Sequence, residues 1–198
     1  MSFISVKLFE SKIAGWFGAP YGVAVDCCTH GLELALRLNK SKSISVPKHT
    51  YLSIPMLASK LNIDLNWKDE LWENYYYLTP NIIDAAVHWE KDSYILGTFM
   101  VLSFQFKKHL SVGRGGMILT DNEEAATKLR SMAYDGRTKL SSPWAEQEIE
   151  MIGYHYYMTP ETAMLGLDNL KEAKEKEPKK WSYKDYPNIS KFKVFNNG

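Results

Sequence analysis

Lys108 is the side chain with the most chemistry to offer. It stands in Ser103-Phe-Gln-Phe-Lys-Lys108-His-Leu-Ser-Val-Gly113-Arg-Gly115-Gly116, with a serine five residues before it and a glycine five after. A lysine amine can add to a carbonyl carbon and later carry a proton, provided the fold strips water from it. The plain alternative is a lysine on a basic surface loop, beside Lys107. Asp84 closes the apolar run Asn81-Ile-Ile-Asp84 and is followed by two alanines, so its carboxylate has room beside it. Aspartate also begins turns. Thr29, in Asp26-Cys27-Cys28-Thr29-His30-Gly31, falls where a strand gives way to a helix. The free N–H groups of a helix start favour an anion, and threonine is equally a common helix cap.

The patterning predicts elements that would position these groups. Apolar residues at Phe9, Ile13, Trp16 and Phe17 share one helical face. Gly22–Asp26 reads as a short buried strand, and Thr29–Leu38 as a helix packed within the protein with Thr29 as its cap. Ser43–Pro47 and Ile63–Trp67 read as strands around a helical stretch, Ile54–Leu61. Asn81–Asp84, Thr98–Phe104 and Gly116–Thr120 are further strands, the continuous apolar run of Thr98–Phe104 marking a central one. Thr120-Asp-Asn-Glu123 has the capping-box form ahead of a helix carrying Ala125, Leu129 and Met132. Thr159-Pro160 reads as cap and first helical residue, with Ala163, Leu167 and Leu170 on one face. This alternation predicts an α/β fold with a mostly parallel sheet flanked by helices. The expected division is a domain over 1–170 and, over 171–198, a mixed-charge helix end followed by an aromatic arm that lies on its own domain or on a partner.

Composition bounds the function class. The 198 residues include 24 Lys+Arg against 23 Asp+Glu, a net charge of +1, which offers no electrostatic case for a nucleic-acid or membrane partner. No apolar run is long enough to span a bilayer, and Met1–Lys7 lacks the layout of a signal peptide. Cys27 and Cys28 are adjacent, so no disulfide framework is expected and a reducing, cytoplasmic compartment is the default. The Cys-Cys-Thr-His cluster lacks the paired spacing of structural zinc, and no metal is expected.

Five segments, in order, resemble the DegT/DnrJ/EryC1/StrS family of pyridoxal-phosphate-dependent aminotransferases. Asp26–Gly31 resembles the phosphate-gripping turn, with Thr29 matching and Cys28 in place of the usual glycine. Pro47-Lys-His-Thr50-Tyr51 resembles the segment whose aromatic residue, here Tyr51, stacks on the cofactor ring. Ile83-Asp84-Ala85-Ala86 resembles the strand end whose acid faces the pyridine nitrogen; Val87 replaces the glutamine that usually follows, and His88 is the candidate to take over its hydrogen bond. Ser103 and Lys108 match the phosphate-binding serine and the cofactor-binding lysine, and Arg114 replaces an acid in Gly113-Arg-Gly115-Gly116. Gly153-Tyr-His155-Tyr-Tyr157-Met-Thr159 resembles a segment that reaches the neighbouring subunit's site.

The resemblance implies the large domain of aminotransferase fold type I and pyridoxal 5'-phosphate as cofactor. It implies Lys108 as catalytic residue and Thr29, His30, Tyr51, Asp84, His88 and Ser103 as cofactor contacts, with His155 supplied by the neighbour in a homodimer with shared sites. Arg114 is the candidate substrate contact, for a carboxylate or diphosphate. The implied reaction is transfer of an amine from a donor such as glutamate to a keto-sugar carried on a nucleotide. A dehydratase of the same family and a non-catalytic cofactor-binding homologue are the alternatives. The stretch from Trp67 to Asp84 is short for the family, and a strand or loop is expected to be missing there.

Overall fold

A computed structural model describes residues 3–138 and 142–195. The ends of the two expected segments, residues 1–2 and 196–198, lie outside the described residues. The order is α1 (Ile4–Phe17), β1 (Tyr21–Val25), α2 (Cys28–Leu38), β2 (Ser43–Pro47), α3 (Ser53–Leu61), β3 (Asp64–Lys68), β4 (Tyr76–Thr79), β5 (Ile82–Asp84), β6 (Phe99–Ser103), β7 (Gly116–Thr120), α4 (Glu123–Ala133) and α5 (Pro160–Glu175). Short 3-10 turns follow in the arm, the first at Tyr183–Asp185.

The main sheet runs β1-β7-β6-β5-β4, and a separate pair, β2-β3, lies against β4. β5 and β6 pair in parallel, as do β2 and β3. β1–β7, β6–β7 and β4–β5 are antiparallel, so the sheet is mixed rather than mostly parallel. The physical reason is connection length. Thr79 to Ile82 is a tight hairpin, closed by the Ile82 N–H on the Thr79 hydroxyl at 3.1 Å, and a hairpin can join only antiparallel strands. The short stretch between Trp67 and Asp84 holds one strand, β4, and no crossover helix.

Side chains alternate across the sheet. Val23, Val25, Ile82, Val101 and Ile118 face α2, α3 and α4, and Ala24, Ile83, Met100, Leu102, Met117 and Leu119 face α1 and α5. Fully burying each large aliphatic or aromatic side chain contributes about 1.5–3 kcal/mol. Gly31 lets α2 lie flat on this sheet, since a Cβ there would stand 2.8 Å from Val101 Cγ1. Glu10 ties three elements together: it accepts from the Ala24 N–H at 2.8 Å and pairs with Arg130 at 3.1 Å.

Two expected caps shift. The N-cap of α2 is Cys27, with no side-chain cap bond, and Thr29 is the second helical residue. For α4 the cap is Asn122, whose side chain accepts from the Ala125 N–H. Thr120 ends β7, and its hydroxyl accepts from the Asn122 N–H. Thr159 caps α5 as expected, with Pro160 at its first turn. Among the described residues no helix is long and apolar enough to cross a membrane.

Candidate active site

β1, β5 and β6 end on the same side of the sheet, where α2 begins. Gly116 fixes this meeting point. A Cβ on it would fall 2.6 Å from both Cys27 C and Cys28 N, so only glycine lets the start of α2 close on β7. Ser103, at the end of β6, is the register partner of Gly116, which puts its half-buried hydroxyl next to that helix start. Thr29 reaches the other way, to Ser53 at the start of α3, and their hydroxyls meet at 2.8 Å. Neither α2 nor α3 has a side-chain cap bond. The uncapped start of α2, with the Thr29 and Ser53 hydroxyls beside it, forms an anion-favouring corner.

Charged groups border that corner. Asp26 accepts from His30 Nδ1 at 2.7 Å and from Arg114 Nη2 at 3.0 Å, and Arg114 also reaches Cys27 Sγ at 3.9 Å. His30 stacks flat on Tyr156, ring centroids 3.6 Å apart. Burial works against its charge, but hydrogen bonds to Asp26 and Cys27 outweigh it and raise His30 to about 9. The donor atoms of Asp26, Cys27 and His30 lie within 4.8 Å of one another, and the cation that meets them is the guanidinium of Arg114.

The other end of the site is buried. Asp84 is only 4% exposed. Its Oδ1 accepts from the Ala86 N–H at 3.0 Å, with Cys28 Sγ 4.0 Å away. Its Oδ2 accepts from the Tyr76 hydroxyl, which also bonds the buried hydroxyl of Thr50. Burial raises Asp84 above the usual carboxylate range, against the pull of the Tyr76 and Ala86 bonds and the charge of Lys108. Burial and the adjacent Asp84 charge hold the Tyr76 phenol well above its ordinary value, so it remains a donor. Half-buried Lys108 belongs to this group. Burial lowers its amine, while the Cys28 thiol and Asp84 pull the other way. Its Nζ lies 5.7 Å from the ring centre of Trp181 in the arm.

The structure thus brings together Lys108 with Asp84, and Thr29 with Ser103 and His30 around the start of α2. It does not bring His88 to them. The turn closed by the His88 N–H on Ala85 O at 3.0 Å carries this ring to the α1 face, between Phe17 and Tyr75, where Nε2 bonds Ser93 at 2.9 Å. Tyr51 is 64% exposed. His155, at φ 54, is exposed and pairs with Asp135 at 2.9 Å. Its segment is joined to the end of β1 in the same chain by the Asp26 N–H on Tyr156 O at 2.8 Å. Tyr76, Ser53 and Trp181 are site neighbours that motif reading passed over, and Thr50 and Cys28, quoted within motifs, prove to meet Asp84, the first through Tyr76 and the second directly. A groove of about 1180 Å³ between α1, β1 and α4 contains none of these groups; it is lined by the Glu10–Arg130 pair and by apolar residues such as Val6, Ala24 and Met158.

The donor set fits pyridoxal 5'-phosphate: a desolvated amine, a buried carboxylate in its field, and hydroxyls at two helix starts. The family model for DegT/DnrJ/EryC1/StrS aminotransferases matches residues 4–95 and 88–186. The chain belongs to that family. Among relatives, the spore coat polysaccharide biosynthesis protein SpsC of Bacillus subtilis (strain 168) is 27% identical over 222 residues, covering 84% of this chain and 56% of SpsC. That stretch exceeds the 198 residues of the chain itself, so SpsC carries segments between matched parts that are absent here. The fold matches that of AtS13 from Actinomadura melliaura (TM-score 0.73, 20% identity, 86% of this chain and 60% of that one). It also matches the sugar aminotransferase CalS13 from Micromonospora echinospora (TM-score 0.68, 16% identity, 86% and 61%). The family member thus spans little more than half the length of the curated relatives it matches.

Proposed function

We propose that this chain holds pyridoxal 5'-phosphate at Lys108 and moves an amine from an amino acid such as glutamate to a keto-sugar carried on a nucleotide. The observation that carries this reading is the amine of Lys108, desolvated and in the field of buried Asp84. Family membership supports it, and so do the sugar-aminotransferase and polysaccharide-biosynthesis relatives.

Bound pyridoxal 5'-phosphate supplies the electron sink for the carbon that exchanges its amine. Asp84, its orientation fixed by Tyr76 and Ala86, would hold a proton on the pyridine nitrogen of the bound group. Lys108 would anchor the group and serve as the base that takes up and returns a proton, and a lowered amine is the better base near neutral pH. Thr29, Ser53, Ser103 and the first N–H groups of α2 would bind the phosphate, with the His30 cation adding to their field. Arg114 is placed to take a carboxylate or diphosphate of the substrate in a forked contact. A second copy of the chain would present its exposed His155 to this corner, as the neighbour's contribution in a homodimer.

The test is transfer of label. With ¹⁵N-glutamate and a panel of nucleotide-linked keto-sugars, the amino-sugar product should carry ¹⁵N. Cofactor capture at Lys108 with no label in any sugar would contradict transamination. That outcome would favour a homologue that binds without turnover, a reading to which the occupied position of Asp84 against Tyr76 lends weight.

A further inference from the structure

The arm has a definite course. Trp181 O accepts from the Asn74 N–H at 2.8 Å, Ser182 bridges Glu73, and the Tyr183 N–H reaches Trp72 O at 3.1 Å. Further on, Tyr186 O bonds His49 Nδ1 at 2.8 Å, Asn188 bridges His49, and the Ile189 N–H reaches Lys48 O at 2.9 Å. The arm is thereby pinned to the approach to β4 and to the loop after β2, the two segments that deliver Tyr76 and Thr50 to Asp84.

Between these anchors the arm presents aromatic rings to the site. Trp181 stands 5.7 Å from Lys108 Nζ, with Lys179 on it at 3.7 Å. Tyr186 follows, 6.2 Å from Trp181 and 5.5 Å from Trp72. Its phenol is raised by burial and then by the charge of Asp84. The rings therefore run from the Lys108 amine through Trp181 and Tyr186 to Trp72 and on to Tyr76, the partner of Asp84.

We propose that residues 181–189 form a strap that covers the Lys108–Asp84 pair and must swing aside before a cofactor ring can enter. The inference rests on the reading of that pair as the cofactor site. The strap is built to release. Trp181, Tyr183 and Tyr186 are half-buried, Ile189 alone is fully buried at 2% exposure, and its turns are short 3-10 segments. A segment held by a few backbone bonds and half-buried rings opens at lower cost than the sheet beneath it.

The test reads Lys108 itself, by trace acylation with acetic anhydride and peptide mass analysis, with Lys107 as internal reference. The full-length protein should acylate Lys108 slowly. Trp181→Ala with Tyr186→Ala should speed it on the order of tenfold, the factor that about 1.4 kcal/mol of lost contact would give, and leave Lys107 unchanged. A second variant guards against loss of fold. His49→Cys with Asn188→Cys joins bridge partners whose spacing suits a disulfide; oxidised, it should acylate Lys108 on the order of tenfold more slowly than after reduction. Equal Lys108 rates with and without the two rings overturn the strap, whatever the cofactor does. Added pyridoxal 5'-phosphate, fixed by borohydride, separates the two readings. If acylation responds to the strap and Lys108 still captures no cofactor in any variant, the cover stands and the cofactor reading falls.

Discussion

The two ends of the site are made differently. At Asp84 the carboxylate, the Tyr76 phenol and the Thr50 hydroxyl are buried and already bonded within the chain. Around Thr29 the groups are charged, half-exposed and joined by pairs that solvent can reach: Asp26 with His30, and Arg114 with Asp26. The contrast follows from location. Asp84 lies on a short strand between β4 and β6, whereas Asp26 and Thr29 sit where β1 leaves the sheet and α2 begins. A buried carboxylate must be positioned by fixed donors, because an unpaired charge there is costly. An anion corner can leave its N–H groups open to water until a ligand arrives. The chain therefore divides the work: geometry is held at the Asp84 end and attraction at the Thr29 end, the two that the proposed cofactor would meet with its ring and its phosphate.

This comparison can be broken at its hinge. Gly116→Ala should have the largest structural effect, since the new Cβ meets backbone at 2.6 Å and that backbone cannot yield as a side chain would. Thermal unfolding should show a loss of about 3 kcal/mol, the upper part of the usual overpacking range. A variant as stable as the parent would mean that α2 does not dock where described. Tyr76→Phe comes next. It leaves Asp84 Oδ2 and the Thr50 hydroxyl without that partner in a buried place, at a cost of about 1–3 kcal/mol in denaturant titration. An unchanged midpoint would show that the ring end is not held as described.

The phosphate end should respond to pH instead. His30 is raised from 6.5 to about 9 in the folded chain, so folding favours the protonated ring. Its contribution is complete below about pH 6.5 and is lost as pH rises through about 9. Denaturant midpoints should therefore fall across that window, and His30→Gln should flatten this part of the profile. The smallest effect belongs to Arg114→Ala. Its exposed pair with Asp26 should be worth within about 1 kcal/mol, and a larger loss of stability would make it a structural residue rather than a free substrate contact.

Much of this was legible in the residues. The bounds of β2 and β7 match their apolar runs, and Thr159-Pro160 marks the start of α5 as its chemistry requires. β4 was hidden because Tyr75-Tyr76-Tyr77 does not alternate in type, although its burial does: Tyr76 and Leu78 point inward, Tyr77 and Thr79 less so. The cap of α2 escaped because Cys27 is a poor capping residue, and the helix starts there on packing against Gly116 rather than on a side-chain bond. Asp84 was readable from its strand end. Tyr76, its partner, was not, because a hairpin brings together residues whose pairing no local motif records. His88 followed the right segment and still missed the site, since one turn after Ala85 sends it through to the other face. The arm read as ordered from its aromatics and proline, yet only the fold shows that it lies on its own domain.

The most direct test of the account is the place of covalent capture. Pyridoxal 5'-phosphate added to the purified chain, reduced with borohydride and mapped by peptide mass, should mark Lys108, with visible absorbance and mark both absent in Lys108→Ala. A mark on Lys107 or scattered over surface lysines, unchanged in Lys108→Ala, would contradict it.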